Sequence, residues 1–126
     1  MPKNEQKRST RRHWQSLGYR RCYCGKLLNW EDPEHPDFAT IEHLVPKSRG
    51  GTLAIKNSLL VCKRCNESRS SIDWYVWIEM NKPPKSDWLI KKYDDALLHF
   101  LEMNKKVDVR IPDRVKQIYK SRLTAV

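Results

Sequence analysis

Apolar positions along the chain fall into short runs punctuated by proline, glycine and charge. ATIEHLV at 39–45 is apolar and β-branched enough for a short strand, ended by Pro46. SLLVC at 58–62 reads as a second short strand, and PKSRGGTLAIKN between them as a loop with Gly50 and Gly51 at its turn. CYCGKLLNW reads as a turn and a short apolar stretch, and DPEHPD as a loop. From about Arg64, RCNESRSSIDWYVWIEMN contains no Gly or Pro and is expected to run as one helix. KPPK at 82–85 must interrupt it, because proline cannot continue a helix. The next segment, SDWLIKKYDDALLHFLEMNKK, carries the clearest helical signal. Ser86 is its expected N-cap, Asp87 lies in its first turn, and Leu89, Tyr93, Ala96 or Leu97, Phe100 and Leu101 form one stripe. A last short helix is expected in PDRVKQIYKSRL, with Pro112 at its start and Val115, Ile118 and Tyr119 as its face. The first dozen residues lack an apolar face and are expected to be disordered, or helical only on a partner.

Composition then narrows the partner. The chain has 126 residues, enough for one compact domain with an appended arm and a modest core that a structural metal would help. Twenty-five Lys and Arg against 15 Asp and Glu give a net charge of +10. Such a charge argues for a polyanionic partner, since nucleic acid rewards Lys and Arg by releasing counterions. The charge is unevenly placed. Residues 1–25 carry seven bases and one acid, residues 31–42 five acids and no base, and residues 43–72 six bases against Glu67. From Asp73 onward eleven bases meet eight acids. The basic N-terminus has no apolar core of a signal peptide, and no apolar run approaches a membrane span. A cytoplasmic location is therefore expected, where thiols stay reduced and four cysteines suit metal better than disulfides.

Those cysteines come in two pairs, Cys22-x-Cys24 and Cys62-x-x-Cys65, with 37 residues between Cys24 and Cys62. Zinc takes four soft ligands in a tetrahedron, which two such turns brought together supply. CxC is tighter than CxxC; should Cys22 not reach the ion, His13 or water would complete the site. Four thiolates leave no open position, so this Zn²⁺ would be structural. No βαβ pattern surrounds the CxxC to support a redox role.

Residues 41–66 read as one unit. A strand carries Glu42 and His43, then come a glycine turn, Asn57 before a second strand, the CxxC, and Asn66 at the opening of a helix. EHLVP, GG, KNSLLVC and CKRCNESR in that order resemble the HNH endonuclease family, in its zinc-bearing branch. The resemblance covers roughly residues 19–72. It implies an α+β fold: a small zinc-stapled ββα-metal (His-Me finger) nuclease, here with additional C-terminal helices. The expected division is a basic arm at 1–18, the nuclease domain with its zinc site at 19–81, and a helical extension at 82–126. By the same resemblance, His43 is the general base and Asn57 holds the loop that orients it. Glu42 and Asn66 would be the ligands of a catalytic Mg²⁺ or Mn²⁺. Many members have His where this chain has Asn66, making it an HNN variant, and Ser70 stands where some carry a further His ligand.

The chemistry is coherent on its own terms. In-line attack of water on a phosphodiester needs a base and a cation, and His is suited to act as base near pH 7. Carboxylate and amide oxygens are hard ligands suited to Mg²⁺ or Mn²⁺. Consecutive residues on a strand point to opposite faces, so Glu42 and His43 can serve one ion only if the strand bends or ends there. Each residue has a plainer reading: His43 as a core histidine, Asn57 and Asn66 as turn and cap residues, Glu42 as a solvated strand position. Their joint spacing favours the site.

The expected substrate is duplex DNA. Lys47, Arg49, Lys56, Arg64 and Arg69, with Lys63, lie close to the site in sequence as phosphate contacts, and Arg8, Arg11, Arg12, Arg20 and Arg21 form a second candidate clamp. The acidic run at 31–37 should point away from DNA, and Trp74, Trp77 and Trp88 should be core. The stripe in the tail suits either packing on the ββα unit or a dimer seam, and the sequence does not choose; a homodimer or a larger nucleic-acid-processing assembly is the protein partnership expected beside DNA. Phage DNA processing, homing and restriction all fit a free-standing protein of this kind. The competing readings are a non-catalytic zinc-stabilised nucleic-acid-binding protein and a zinc-ribbon partner in a larger assembly.

Overall fold

A computed structural model describes residues 3–70 and 72–124, with side chains from Lys7 onward. Two strands, β1 (Ala39–His43) and β2 (Ser58–Cys62), pair antiparallel, with Ala39 opposite Cys62, Glu42 opposite Leu59 and His43 opposite Ser58. The sheet is expected from Thr40 and Ile41 facing Val61 and Leu60, and β1 stops at His43, ahead of the break at Pro46. The connection between the strands contains two short 3₁₀ turns, Lys47–Arg49 and Ile55–Asn57.

Five α-helices surround this hairpin among the described residues: α1 (Lys3–Ser16), α2 (Lys63–Arg69), α3 (Trp74–Asn81), α4 (Ser86–Glu102) and α5 (Asp113–Thr124). The architecture is α+β, as expected, but three local expectations change. The segment from Arg64 to Asn81 is two helices. α2 ends at Ser70, whose φ of 50° leaves the helical region, and α3 restarts under a cap from Asp73, whose Oδ1 accepts from Tyr75 N at 3.0 Å. Ser71, part of the expected single helix, lies outside the described residues. Ser and Asp side chains compete with the helical backbone, which is why a stretch free of Gly and Pro still breaks here. Ser86 is the first residue of α4 rather than its cap; Lys85 holds the cap position and makes no side-chain cap bond.

The third change concerns the arm. From Lys3, the expected disordered dozen is helical, and the helix is anchored at its far end rather than along a face. Trp14 is buried, and its Nε1 donates to Ser58 Oγ at 3.1 Å on β2. Thr10, one turn earlier, is buried as well. One large side chain next to a run of arginines was too sparse a signal for an apolar face, but it holds the helix on the sheet.

One apolar cluster joins all these parts. Tyr23, Leu28, Ala39, Leu44, Val45 and Leu59–Val61 of the hairpin region meet Trp74, Trp77 and Ile78 of α3 and Leu89, Tyr93, Leu97 and Phe100 of α4. Tyr23, Trp74 and Trp77 contact one another edge to face, with centroids 5.3–6.2 Å apart. Trp74 and Trp77 are core as expected, and Trp88 packs partly buried against the cluster. The α4 stripe is buried within the chain, so it is not available as a dimer seam. Val115 brings α5 into the cluster, whereas Ile118 on the same helix is exposed. No helix among the described residues is long and apolar enough to cross a membrane.

Replacing Trp14 by Ala is expected to cost about 3–5 kcal/mol, the range for truncating a buried tryptophan, and to release α1. Urea denaturation reads the first effect, and new proteolytic cleavage between Lys7 and Arg12 the second.

Candidate metal centre and active site

The four cysteines converge. Cys22 and Cys24 sit on a tight turn in which Cys22 N donates to Lys26 O at 2.9 Å and Gly25 N to Cys22 O at 2.9 Å. Gly25 has φ of 90°, the left-handed conformation that favours glycine. Cys62 ends β2 and Cys65 lies in the first turn of α2. All four sulfurs fall within 4.8 Å of one another, and Cys24 Sγ is 3.9 Å from Cys62 Sγ. A tetrahedron with Zn–S bonds of about 2.3 Å has edges of about 3.8 Å, so the sulfurs suit a soft divalent ion such as zinc. Cys22 takes its place in the cluster, and His13 lies apart from it, on the cleft between α1 and α4. Hydrogen bonds with Cys22 and Cys65 pull the Cys62 thiol far below its ordinary value, while hydrogen bonds with Cys22 and Cys62 raise Cys65.

Asn57 is the second fixed point. It is wholly buried, and its carboxamide closes on the chain just beyond His43. Val45 N donates to Asn57 Oδ1 at 2.8 Å, and Asn57 Nδ2 donates to Val45 O at 3.0 Å and Thr52 O at 2.9 Å. Leu44 N donates to Asn57 O at 2.8 Å. Each polar atom of this buried amide is therefore used, and the backbone after His43 is held from both sides. Gly51 makes the approach feasible: a Cβ there would lie 1.8 Å from Val45 O. Its neighbour Gly50 has φ of 99° and packs on Lys106 O. From the tail, Asp108 N donates to Arg49 O at 2.8 Å, and Arg49 donates back to Asp108 O at 3.1 Å.

His43 is half-buried at the end of β1. By strand alternation it projects to the face shared with Ser58, and Glu42 to the face shared with Thr40. α2 lies on the Thr40–Glu42 face. Asn66 Nδ2 donates to Thr40 Oγ1 at 3.2 Å, and Arg69, one turn later on the same helix face, donates from Nε to Glu42 Oε1. Glu42 and Arg69 are each about 5% exposed, and Arg69 also lies over the Trp74 ring, 4.3 Å from its centroid. The side chain that meets Glu42 is thus Arg69, whereas Asn66 reaches a residue two positions earlier. Burial pushes the Glu42 carboxyl up to about 7, with Arg69 pulling the other way without cancelling it.

As to the catalytic cation, Glu42 Oε2 is buried with no hydrogen-bond partner among the described residues, which fits an oxygen kept for a hard ion. The Asn66 NH₂ is spent on Thr40, so a carboxamide oxygen is what Asn66 offers. Ser70 is exposed at the end of α2.

The basic residues sort differently from their order in the sequence. Arg69, expected among the DNA-binding residues, is buried and paired with Glu42. Its place three residues after Asn66 on one helical face was a signal that it would share that residue's surroundings. Arg64 pairs with Asp37 at 3.3 Å, and Lys63 reaches Pro33 O at 3.3 Å. The acidic run therefore lies against the start of α2 instead of standing apart from the basic residues. Arg49 is tied to Asp108, while Lys47 and Lys56 are exposed with no ion pair among the described residues.

A hairpin followed by a helix, with four convergent cysteines and an acid–histidine pair at the end of its first strand, is consistent with a ββα-metal fold. Residues 22–71 match the family model of the HNH endonucleases. Comparison with curated proteins and with solved structures returned no match.

Two measurements follow from this geometry. Zinc added to the reduced metal-free protein is expected to shield four cysteines from iodoacetamide, counted by mass spectrometry; three shielded would mean that Cys22 stays outside. In the absence of added divalent cation, Glu42 holds its proton more tightly folded than unfolded. Stability should accordingly fall as pH rises from about 4.5 to about 7 and level off above that. Urea midpoints of the wild type and of Glu42→Gln across this range test it, because the variant should lose that part of the slope.

Proposed function

We propose that this chain is a DNA endonuclease that hydrolyses phosphodiester bonds with a divalent cation, using His43 as general base. The single observation that carries the reading is the carboxamide of Asn57, bonded in both directions to Val45. It fixes the backbone immediately after His43 inside a segment that matches an endonuclease family. A buried side chain spending all its polar atoms on one loop is what orienting a catalytic imidazole requires.

In this reading the water oxygen bonds to phosphorus as the bond from phosphorus to the 3′ oxygen breaks, and His43 accepts the proton of the water. Glu42 and Asn66 hold Mg²⁺ or Mn²⁺, Glu42 through the oxygen that Arg69 leaves open. Held by Glu42 and Asn66, such a cation would supply positive charge to offset the negative charge developing on the phosphate and the leaving group. The four cysteines hold Zn²⁺ as a structural ion, with no vacant position for substrate. Lys47 and Lys56 contact phosphate beside the site.

Purified protein and supercoiled plasmid test this directly. Cleavage should require Mg²⁺ or Mn²⁺ and fall by about 10²–10⁴-fold in His43→Ala, the usual contribution of a positioned general base, while that variant keeps its fold and its DNA affinity. Open-circle or linear product then tells nicking from double-strand cleavage. Equal DNA binding by both proteins, with no cleavage under any cation, would replace the enzyme by a zinc-stabilised nucleic-acid-binding module.

A further inference from the structure

A cleft of about 490 Å³ lies where α1, the turn before β2, α4 and α5 meet. Ser58 lines it, and Ser58 is the cross-strand partner of His43. Side chains of cross-strand partners project to the same side of a sheet. The cleft is therefore on the His43 side of the hairpin, opposite the face on which Arg69 covers Glu42. Most of its wall comes from helices outside the HNH segment.

The wall is cationic in a particular way. Its two carboxylates are already engaged: Asp95 pairs with Lys91 at 3.2 Å, and Glu102 with Arg122. Lys56 and Lys92, which also line it, have no carboxylate partner among the described residues. Lys92 is held instead by aromatic rings, with Nζ 5.6 Å from the centroids of both Trp14 and Trp88. A lysine seated on indoles is oriented without being neutralised, so its charge remains available to an outside anion. Paired charges beside two unpaired cations suit a ligand that brings spaced negative charges of its own.

We propose that this cleft binds the sugar-phosphate backbone of DNA flanking the bond to be cut, with Lys56 and Lys92 as its phosphate contacts. The flanking position rests on the endonuclease reading; the binding itself does not. The cleft gives the otherwise unassigned tail a role: α4 and α5 extend the nucleic-acid track beyond residues 22–71. An acidic polypeptide is the competing occupant. The position on the His43 side and the net charge of +10 favour nucleic acid.

The test is fluorescence anisotropy of a labelled duplex with the full zinc-loaded chain, without added divalent cation, at several salt concentrations. Lys56→Gln/Lys92→Gln is compared with Lys26→Gln/Lys116→Gln, which removes equal charge at exposed positions outside the cleft. Each phosphate contact contributes about 0.9 to the slope of log affinity against log salt, so the cleft pair should lower it by about 1.8. Affinity near 0.1 M salt should drop more than about tenfold on the same basis, with little change in the control pair. Lys92→Arg, which keeps the charge on the indoles, should bind as the wild type does. Circular dichroism and zinc content establish that the variants are folded. Equal losses in the two pairs would overturn the proposal, as would a cleft pair that loses polyglutamate while keeping DNA. If the wild type binds through these lysines yet never cuts plasmid, the cleft stands and the endonuclease reading fails. Cutting and binding without dependence on them mean the reverse.

Discussion

Cys62 does three things at once. It is the last residue of β2, the residue from which α2 departs, and one of four sulfurs within 4.8 Å of one another. The helix therefore cannot shift relative to the hairpin without opening the sulfur cluster. That constraint sets Asn66 over Thr40 and Arg69 over Glu42, because residues three apart on a helix meet residues two apart on a strand. A chain of this length buries a limited core, and an ion held by the four sulfurs would join the turn at 22–24 to the start of α2 and so close a long loop.

The hairpin then divides its work between two faces. On the Glu42 face, Arg69, itself over the Trp74 ring, takes one carboxylate oxygen and leaves the other without a hydrogen-bond partner among the described residues. Removing one member of such a buried pair strands the other and costs about 3–5 kcal/mol, so Arg69 belongs to the framework of the site as much as to its electrostatics. The His43 face opens toward the cleft lined by α1, α4 and α5. Between them, Asn57 holds the chain, and the segment around Asp108 braces Arg49 and Gly50 from outside residues 22–71. The tail thereby supports both the loop after His43 and the cleft.

Several features were legible before any coordinates. Both strands, the α4 stripe and the pairing of cysteines follow from local rules: β-branched runs, helical spacing and ligand spacing. The Glu42, His43, Asn57 and Asn66 set is proposed on a related ground, since its order along the chain carries the pattern. The break between α2 and α3 was less so, because Ser70 and Asp73 act through side-chain competition and capping that composition barely registers.

The sequence by itself determined the pairing of the four cysteines, the α+β class and the basic character. Only the tertiary structure decided what the charges do. Lys63, Arg64 and Arg69 look alike in the sequence as basic residues of one segment. Folding sends Arg64 to Asp37, Lys63 to the acidic loop and Arg69 into the interior on Glu42, while Lys56 stays at the surface beside Lys92. Trp14 likewise turns a run of arginines into a docked helix by finding Ser58, 44 residues away. The physical reason is that a charge or an indole is assigned by its nearest partner in space, and those partners lie far apart along the chain, beyond the reach of any local pattern.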